Sequence, residues 1–400
     1  MKILFINEFF YPDVAATAQQ LDDFTAFLVK SGHQVTVLCS RSDYTASGQR
    51  YASYETRQGV EIYRVAGFHF GRNSKLARIL SALSLNTAFA WKLLQISSYD
   101  LVVSLTSPPL VAWAASLICQ WKKMLFSYWV MDLNPDEAIE AGWIKKDSLQ
   151  AKWLTRALKS VIKRSKKIVV LDRFMKQRMI MHGALEAQVE ICPPWSHDDE
   201  LEYVSKEKNL FLKQHGLENR FVVMYSGNHS ICHPLDTLLE TAKTLKDDSR
   251  FAFVFIGGGA RVKDVLHYKN AYGLNHVFHF PYQPRSELKY SLSAADMHVV
   301  VMGNPFVGIV HPSKIYGILR LARPFFCIGP KEGHLTDLMQ QYRIGFQIAH
   351  GESSRLTEFL QQQLTASQVQ DLSFQQAAKQ SAQSFSAATL MPRLKNILTV

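Results

Sequence analysis

The segment GNPFVGIVHPSKIYGILRLARP, residues 303–324, decides how the rest of the chain is interpreted. It follows an apolar run, residues 297–302, and together they predict a strand, a glycine-containing loop and a helix that begins at Pro312. Proline is favoured at the first helical position, where its missing N–H costs nothing. Ser313 and Lys314 would then lie in the first turn, where free backbone N–H groups attract anions. The pattern suits a phosphate, and an ordinary structural helix start fits the same residues.

The same alternation of strands and helices extends over the whole chain. Residues 2–9 predict a strand, residues 15–30 a helix and residues 34–39 a second strand, which together form a βαβ unit. A second series opens with the strand 220–225. Because 400 residues exceed the usual size of one core, we expect two doubly wound α/β domains facing each other across a cleft.

The domain boundaries are predicted from these two series. The first domain should comprise residues 1–195 and the second residues 196–375, with a polar linker near their junction. The helical segment 376–400 has no strand to follow, so we expect it to pack back on the first domain.

Composition and motifs exclude several classes of protein. The five cysteines have no CxxC spacing, which disfavours a disulfide framework or a zinc site. The amino terminus begins with a strand-like run and no basic leader, so a cytoplasmic protein is expected. The uncharged run 101–121 is interrupted by Pro108 and Pro109, which predicts a strand and a helix rather than a membrane span. Neither GxGxxG after the first strand nor a P-loop motif is present.

The net charge of +11 is concentrated between residues 145 and 167, which hold nine Lys or Arg residues and one acid, Asp147. Tryptophan and aliphatic residues are interleaved with them, as in a basic amphipathic helix. Such a helix suits an anionic membrane surface. A solvated helix face over the domain core is nearly as good an interpretation, and no nucleic-acid module accompanies the charge.

Three loops of the second half follow predicted strands. They are residues 226–230, residues 257–259 with Arg261, and residues 303–314. The carboxyl ends of parallel strands lie at one edge of a sheet, so these loops should open together. Glycine lets backbone amides approach a ligand closely, and Arg261 and Lys314 would add charge for a diphosphate.

These loops carry a resemblance to a known family. The segments SGNHSICHPLDTLLE (226–240), FVFIGGGARVKDV (253–265) and PSKIYGILRLARP (312–324) are similar to family 4 glycosyltransferases, and so is the amino terminus. The PSKIY element and the segment DLNPDEA (132–138) resemble the bacterial subgroup that acts in colanic acid, O-antigen and exopolysaccharide assembly.

The resemblance implies a GT-B fold and a retaining, metal-independent hexosyltransferase without a cofactor. A UDP- or GDP-linked sugar donor would be held mainly by the second domain. A lipid-linked saccharide acceptor would be held mainly by the first, with the enzyme peripheral on the inner face of the cell membrane. Nucleic acid is not an expected partner.

Site residues follow from the same resemblance, position by position. Asn228 and His233 stand where the family has an arginine and a lysine, and Ile309 and Gly317 stand where it has two glutamates. Lys314 is expected to replace part of the missing charge. The predicted donor contacts are Ala16, Gly227, Asn228, His233, Gly258, Arg261, Tyr282, Gln283, Val310, His311, Pro312 and Ser313.

Asp132, at the end of the predicted strand 123–131, is the residue we expect to orient or deprotonate the acceptor hydroxyl. Capping of the following turn fits Asp132 equally well. A metal site at residues 197–199 is disfavoured because adjacent side chains diverge. Two other functions stay open: a nucleotide-sugar-binding partner protein with little catalysis, motivated by the missing glutamates, and a nucleotide-sugar epimerase.

Overall fold

The computed structural model describes residues 1–13, 15–42, 50–68, 75–196, 201–366 and 372–399. Residues 197–199, considered above as a metal site, lie outside this part of the chain. The chain divides into two compact units. Unit 1 comprises residues 1–197, 308–311 and 387–400, and unit 2 comprises residues 198–307 and 312–386.

Unit 1 is built from alternating strands and helices. Its strands are β1 (Lys2–Ile6), β2 (Gln34–Ser40), β3 (Tyr54–Arg57), β4 (Val60–Val65), β5 (Leu101–Ser104), β6 (Leu125–Trp129), β7 (Ile168–Val170) and β8 (Val189–Ile191). Its helices are α1 (Ala16–Lys30), α2 (Lys75–Gln95), α3 (Val111–Trp121), α4 (Asp136–Glu140), α5 (Leu149–Arg164) and α6 (Arg173–Met181).

Among the described residues, these strands form one sheet in the order β3-β4-β2-β1-β5-β6-β7-β8. All neighbours are parallel except β3 and β4, which pair antiparallel. The central strands are buried on both faces, which explains why they appear in the sequence as continuous apolar runs. The chain leaves β1 towards β2 and later returns to its other side with β5, so the topological switch point lies between β1 and β5.

Unit 2 repeats the architecture. Its described strands are β9 (Phe221–Ser226), β10 (Phe251–Ile256), β11 (Val277–Phe280), β12 (Met297–Val301), β13 (Phe325–Ile328) and β14 (Phe346–Ile348). Its helices are α7 (Leu210–His215), α8 (Asp236–Thr244), α9 (Val262–Tyr272), α10 (Leu288–Ser293), α11 (Lys314–Arg320), α12 (His334–Tyr342), α13 (Ser353–Ala366) and α14 (Leu372–Ser384).

The second sheet is parallel throughout its described strands, in the order β11-β10-β9-β12-β13-β14. This is the Rossmann order, with the switch point between β9 and β12. Every residue of β10 is buried, and its three phenylalanines, Phe251, Phe253 and Phe255, anchor one side of the core. The predicted second α/β series is therefore confirmed.

The carboxyl-terminal segment divides between the units. Residues up to Ser386 belong to unit 2, whereas helix α15 (Ala387–Thr399) belongs to unit 1. In unit 1 the Lys395 ammonium lies 5.9 Å from the ring centre of Phe27 on α1, and the Cys192 thiol lies 3.9 Å from the Leu390 carbonyl oxygen. The sequence had placed the start of the return segment at residue 376, because helix periodicity alone does not show which core a helix covers.

The basic stretch has a structural explanation. The apolar side of α5 is buried in unit 1 through Ala157, Leu158, Val161 and neighbouring residues, so the helix covers the core. The run 101–121 forms β5 and α3, as predicted. Within the described ranges, no helix has both the length and the apolar character that crossing a membrane requires.

Candidate functional site

Two loops meet at the switch point of unit 2. Gly227 follows β9, and Lys314 opens the helix after β12. A Cβ atom placed on Gly227 would lie 3.1 Å from the Lys314 Nζ atom, and Gly227 has φ +138°. The glycine therefore leaves room for the amine and adopts a backbone conformation that other residues rarely reach. Ligands of open parallel sheets bind at this position, outside the carboxyl ends of the strands.

Lys314 is an unusual lysine. Among the described residues, its Nζ atom is buried without a hydrogen-bond partner. It lies 3.7 Å from the ring centre of Tyr225, whose hydroxyl donates a hydrogen bond to the Asn228 carbonyl oxygen (2.7 Å). Burial lowers the pKa of Lys314 to about 7. A buried cation without a counter-charge is destabilising unless a ligand supplies that charge.

The glycine loop after β10, residues 257–259, is hydrogen-bonded to the loop after β9, residues 226–230. The His229 N–H donates to the Gly258 carbonyl oxygen (2.7 Å) and the Gly227 N–H to the Ile256 carbonyl oxygen (2.9 Å). A Cβ atom on Gly257 would lie only 2.2 Å from the Gly227 carbonyl oxygen. Glycine is needed here because the two backbones approach each other closely. This close approach fixes the shape of the two loops.

Two histidines that follow β9, His229 and His233, lie near the Lys314 amine. His229 is fully buried, and its Nδ1 atom lies 3.0 Å from the Gly227 carbonyl oxygen. Burial, assisted by Lys314, lowers the pKa of His229 to about 4 and that of His233 to about 3. Both imidazoles are therefore neutral at physiological pH.

Arg261 is held by two carboxylates. Its guanidinium contacts Asp236 at 2.9 Å and Asp264 at 2.8 Å. A diphosphate would have to compete with both. The predicted donor contact at Arg261 stays a prediction, and this geometry supports it less than it supports Lys314.

Tyr282 packs over the same glycine loop, since a Cβ atom on Gly258 would lie 3.3 Å from its ring. The residue is half exposed, and the neighbouring Gln283 amide donates to the Pro281 carbonyl oxygen (3.0 Å). An exposed ring beside backbone amides is suited to stacking on a nucleobase.

The sequence predicted that helix α11 begins at Pro312. In the structure it begins at Lys314. The Pro312 carbonyl oxygen accepts a hydrogen bond from the Ile315 N–H (3.2 Å), so the proline opens the turn just before the helix. Ser313 is the exposed capping residue, and its side chain makes no capping hydrogen bond.

The preceding residues, 308–311, belong to unit 1. There the Ile309 carbonyl oxygen accepts a hydrogen bond from the Leu133 N–H (2.8 Å). A Cβ atom on Gly308 would lie 2.6 Å from the Phe174 backbone. The structure groups Val310 and His311 with unit 1, and their predicted contact with the donor stays a prediction.

His311 and Asp172 form a buried pair in unit 1. The His311 Nδ1 atom lies 2.9 Å from Asp172 Oδ2, and both side chains are at least 96% buried. The other oxygen of Asp172 caps α6 by accepting the Met175 N–H (2.8 Å). The carboxylate thus fixes the orientation of the imidazole.

The switch point of unit 1 holds Glu8 and Ser107. The Ser107 hydroxyl donates to Glu8 Oε2 (2.6 Å), and the Glu8 N–H donates to the Ser107 carbonyl oxygen (2.7 Å). Burial raises the pKa of Glu8, and the Ser107 hydrogen bond partly offsets that rise. Ala16, predicted to contact the donor, is the exposed first residue of α1.

Asp132 follows β6 at the same edge. Its N–H donates to the Thr106 hydroxyl oxygen (3.4 Å), so the backbone of Asp132 is tied to the neighbouring strand end. Desolvation, with a smaller contribution from the Glu137 carboxylate, raises the pKa of Asp132 to about 7. A carboxyl group with a pKa near neutrality is suited to general base catalysis.

Sequence reasoning missed Glu8, Asp172 and His229 as site residues. Asp172 comes shortly after β7, so the strand-end rule that selected Asp132 would also have selected it. Glu8 lies inside the predicted strand 2–9, which ends at Ile6 in the structure, so the rule passed over it. Ile309 is fully buried and Gly317 faces open space, so neither position supplies a carboxylate. Within either unit taken alone, the described residues contain no group of three side chains able to hold a metal ion.

The chain is similar in sequence to known glycosyltransferases. Residues 17–197 match the model of the Glycosyltransferase Family 4. WcaI of Escherichia coli K12, which bears the name of a colanic acid biosynthesis glycosyl transferase, is 24% identical over 332 residues, 80% of this chain and 81% of that protein. WbjE of Pseudomonas aeruginosa, which bears the name of a glycosyltransferase, is 24% identical over 286 residues, 70% of each chain.

The fold matches that of solved glycosyltransferases. HepE of Anabaena, solved in complex with UDP-glucose, superposes with a TM-score of 0.74 at 14% identity, covering 100% of this chain and 99% of that one. WaaG, a glycosyltransferase involved in lipopolysaccharide biosynthesis, gives a TM-score of 0.71 at 14% identity over 99% of both chains. The chain therefore has the GT-B fold, matches the Glycosyltransferase Family 4 model over residues 17–197 and is similar to bacterial glycosyltransferases of polysaccharide biosynthesis.

Proposed function

We propose that the chain is a retaining, metal-independent hexosyltransferase that moves a sugar from a UDP- or GDP-linked donor to a lipid-linked saccharide. The observation that carries the donor assignment is the unpartnered Lys314 amine beside Gly227 at the switch point of unit 2. HepE, which shares the fold, binds UDP-glucose. Retention and metal independence are what the family resemblance implies.

The leaving diphosphate would be stabilised by the glycine loops and by Lys314, because negative charge develops on it during transfer. Asp132 would accept the proton of the acceptor hydroxyl. Unit 2 would hold the donor and unit 1 the acceptor. The similarity to WcaI, which is named for colanic acid biosynthesis, supports a role in polysaccharide assembly, and O-antigen or exopolysaccharide assembly is what the family resemblance implies.

A ligand and activity panel tests the proposal. UDP, GDP, ADP and dTDP are titrated calorimetrically, and the sugar nucleotides of the binding base are then incubated with polyprenyl diphosphate saccharides. We expect micromolar binding of one nucleotide and a product enlarged by one hexose, with the donor's anomeric configuration retained and the rate unchanged by EDTA. Binding without transfer across the panel would favour the non-catalytic partner, and an isomerised free donor would favour the epimerase.

We further propose that unit 1 lies on the inner face of the cell membrane. Trp143 and Leu149 are 63% and 86% exposed, and Trp153 packs edge-on against Trp113 at 5.8 Å. Exposed cations surround them: Lys145, Lys146, Lys152 and Arg156. Since the apolar side of α5 is occupied by the core, this tryptophan and lysine surface would provide the contact with anionic lipid.

Replacing those four cations with glutamine should weaken binding to vesicles containing about 30 mol% phosphatidylglycerol by about 100-fold to 1,000-fold, since each cation contributes about 1 kcal/mol near such a surface. Co-sedimentation measures the binding. The matched control removes four exposed lysines of unit 2, Lys208, Lys213, Lys246 and Lys263, and should retain it. Equal losses in both variants would show that net charge, rather than this surface, governs binding.

A further inference from the structure

One face of helix α2 in unit 1 exposes large apolar side chains. They recur at spacings of three and eight residues, which places them on one side of a helix. The opposite side is buried through Phe89 and Leu93, so the helix is fixed on the core. Contiguous exposed apolar surface indicates a binding site. We call these residues the apolar strip; within the described part of the stretch 65–99 they are Phe68, Ile79, Leu80, Leu83, Trp91 and Leu94.

The first half of the strip lies at the carboxyl edge of the first sheet. Since β4 and β5 are parallel strands of that sheet, the helix that joins them begins at this edge. The Asn86 amide donates a hydrogen bond to the Pro109 carbonyl oxygen (3.0 Å), and the Phe68 N–H donates one to the Ser84 hydroxyl oxygen (2.7 Å). This half of α2 is therefore held beside the loop that carries Ser107, one of the two residues at the switch point of unit 1.

The second half of the strip leads away from that edge. The Lys122 Nζ atom donates hydrogen bonds to the Leu93, Leu94 and Ile96 carbonyl oxygens (3.0, 2.8 and 2.8 Å), which fixes the carboxyl end of α2. Helix α3 packs against both α2 and α5, so the strip and the tryptophan and lysine surface belong to one layer of helices. At a rise of 1.5 Å per residue, the strip is about 22 Å long from Ile79 to Leu94.

Size and charge limit what can cover the strip. A stable protein–protein interface uses about 20–30 residues a side, whereas the strip offers six large side chains among the described residues. Residues 65–99 contain four Lys or Arg and no Asp or Glu, so an anionic ligand is attracted rather than repelled. A flat bilayer covers an outward surface, whereas a single chain can also continue to the strand ends at the switch point. An apolar chain with an anionic head matches all of these properties.

We propose that the apolar strip binds the isoprenoid chain of the lipid-linked saccharide acceptor. The chain passes over Leu80 and Leu83 and continues towards Trp91, and the saccharide end lies at the switch point of unit 1. Contact with the strip removes apolar surface of both partners from water, which stabilises the complex. This inference rests on the proposed function and adds a site that recognises the lipid rather than the sugar.

Two soluble probes test the site without requiring sugar transfer. Farnesyl diphosphate and methyl diphosphate carry the same anion with and without an isoprenoid chain. Each is titrated calorimetrically below its micelle-forming concentration, with excess UDP, GDP, ADP and dTDP present to occupy the donor site. The test variant combines Leu80→Gln and Leu83→Gln, whose side chains are 39% and 51% exposed. The matched control combines Leu266→Gln and Leu210→Gln of unit 2, which are 41% and 53% exposed.

We expect the wild type and the control to bind farnesyl diphosphate at least about 30-fold more tightly than methyl diphosphate, a difference of about 2 kcal/mol. The test variant should lose at least about tenfold of this preference and keep the wild-type nucleotide affinity and melting temperature, because both leucines are exposed. An equal preference in all three proteins, or no preference in the wild type, would overturn the inference and leave the proposed function intact.

Vesicle co-sedimentation and sedimentation velocity identify a different occupant of the strip. If the test variant keeps the farnesyl preference and loses binding to vesicles containing about 30 mol% phosphatidylglycerol, the bilayer covers the strip and the inference is wrong. It is also wrong if the wild type is a dimer that the two substitutions dissociate without changing the farnesyl preference. Nucleotide binding is titrated separately: its absence would contradict the proposed function, whereas the farnesyl preference still decides whether the strip binds an isoprenoid chain.

Discussion

The Lys314→Met variant should bind its nucleoside diphosphate at least about 100-fold more weakly than the wild type, and should unfold at a higher temperature. The loss corresponds to about 2.7 kcal/mol, the size expected for removing charged hydrogen bonds to a phosphate. The gain in stability has a separate cause. The buried amine lacks a hydrogen-bond partner among the described residues, and methionine occupies a similar volume without that cost.

The pH dependence of the stability gain can be worked out from the pKa of Lys314. Burial lowers it to about 7, whereas the unfolded chain keeps the ordinary value, so the unfolded state binds more protons between these two pH values. The wild type therefore gains stability as the pH rises from 7 towards 10.5. The advantage of the methionine variant is greatest at and below pH 7, where we expect about 1–3 kcal/mol, and shrinks as the pH rises.

Calorimetric titration and thermal unfolding at pH 6.5 and pH 9 measure both effects. Lys263→Met, on α9 of the same unit, is the matched control, because it removes an exposed lysine. It should change neither nucleotide affinity nor melting temperature by much. Unchanged affinity in Lys314→Met would remove Lys314 from the donor site. Destabilisation at pH 6.5 would mean that the amine has a partner that stabilises its charge.

The Asp132→Asn variant should transfer sugar at least about 100-fold more slowly and still bind nucleotide with wild-type affinity. Asparagine keeps the shape of the side chain and cannot accept a proton, and general base catalysis contributes a factor of about this size. Because burial raises the pKa of Asp132 to about 7, kcat/KM of the wild type should rise with pH through about 7. In the Asp132→Asn variant, kcat/KM should not rise with pH in this range.

The pH dependence of the free energy of unfolding distinguishes general base catalysis by Asp132 from capping of the following turn. A raised carboxyl pKa means that the folded state binds more protons between pH 4 and pH 7, so the wild type loses stability as the pH rises through that range. Asp132→Asn should therefore be more stable at pH 8 by about 1–3 kcal/mol, whereas loss of a capping carboxylate would destabilise. Glu140→Gln, an exposed acid on α4, is the control. Near-normal transfer by Asp132→Asn would rule out the proposed base.

The sequence by itself determined the alternation of strands and helices, the two α/β series and the sheet edge at which the loops lie. These properties are local or follow from one topological rule: apolar runs mark buried strands, and parallel strands place their carboxyl ends at one edge. Gly227, Gly258 and Asp132 could be selected because each directly follows a strand or lies in a glycine loop. The same rule applied fully would have added Asp172, whereas Glu8 was hidden because the predicted first strand extended past Ile6.

Only the tertiary structure decided which of these residues share surroundings. Lys314 and Arg261 look alike in the sequence, yet one amine is buried without a counter-charge and the other side chain is held by Asp236 and Asp264. The apolar side of α5 turned out to face the core, and residues 308–311 joined unit 1. Burial and charge pairing depend on residues far apart in the chain, and they set the pKa values and hydrogen-bonding needs that a linear pattern does not contain.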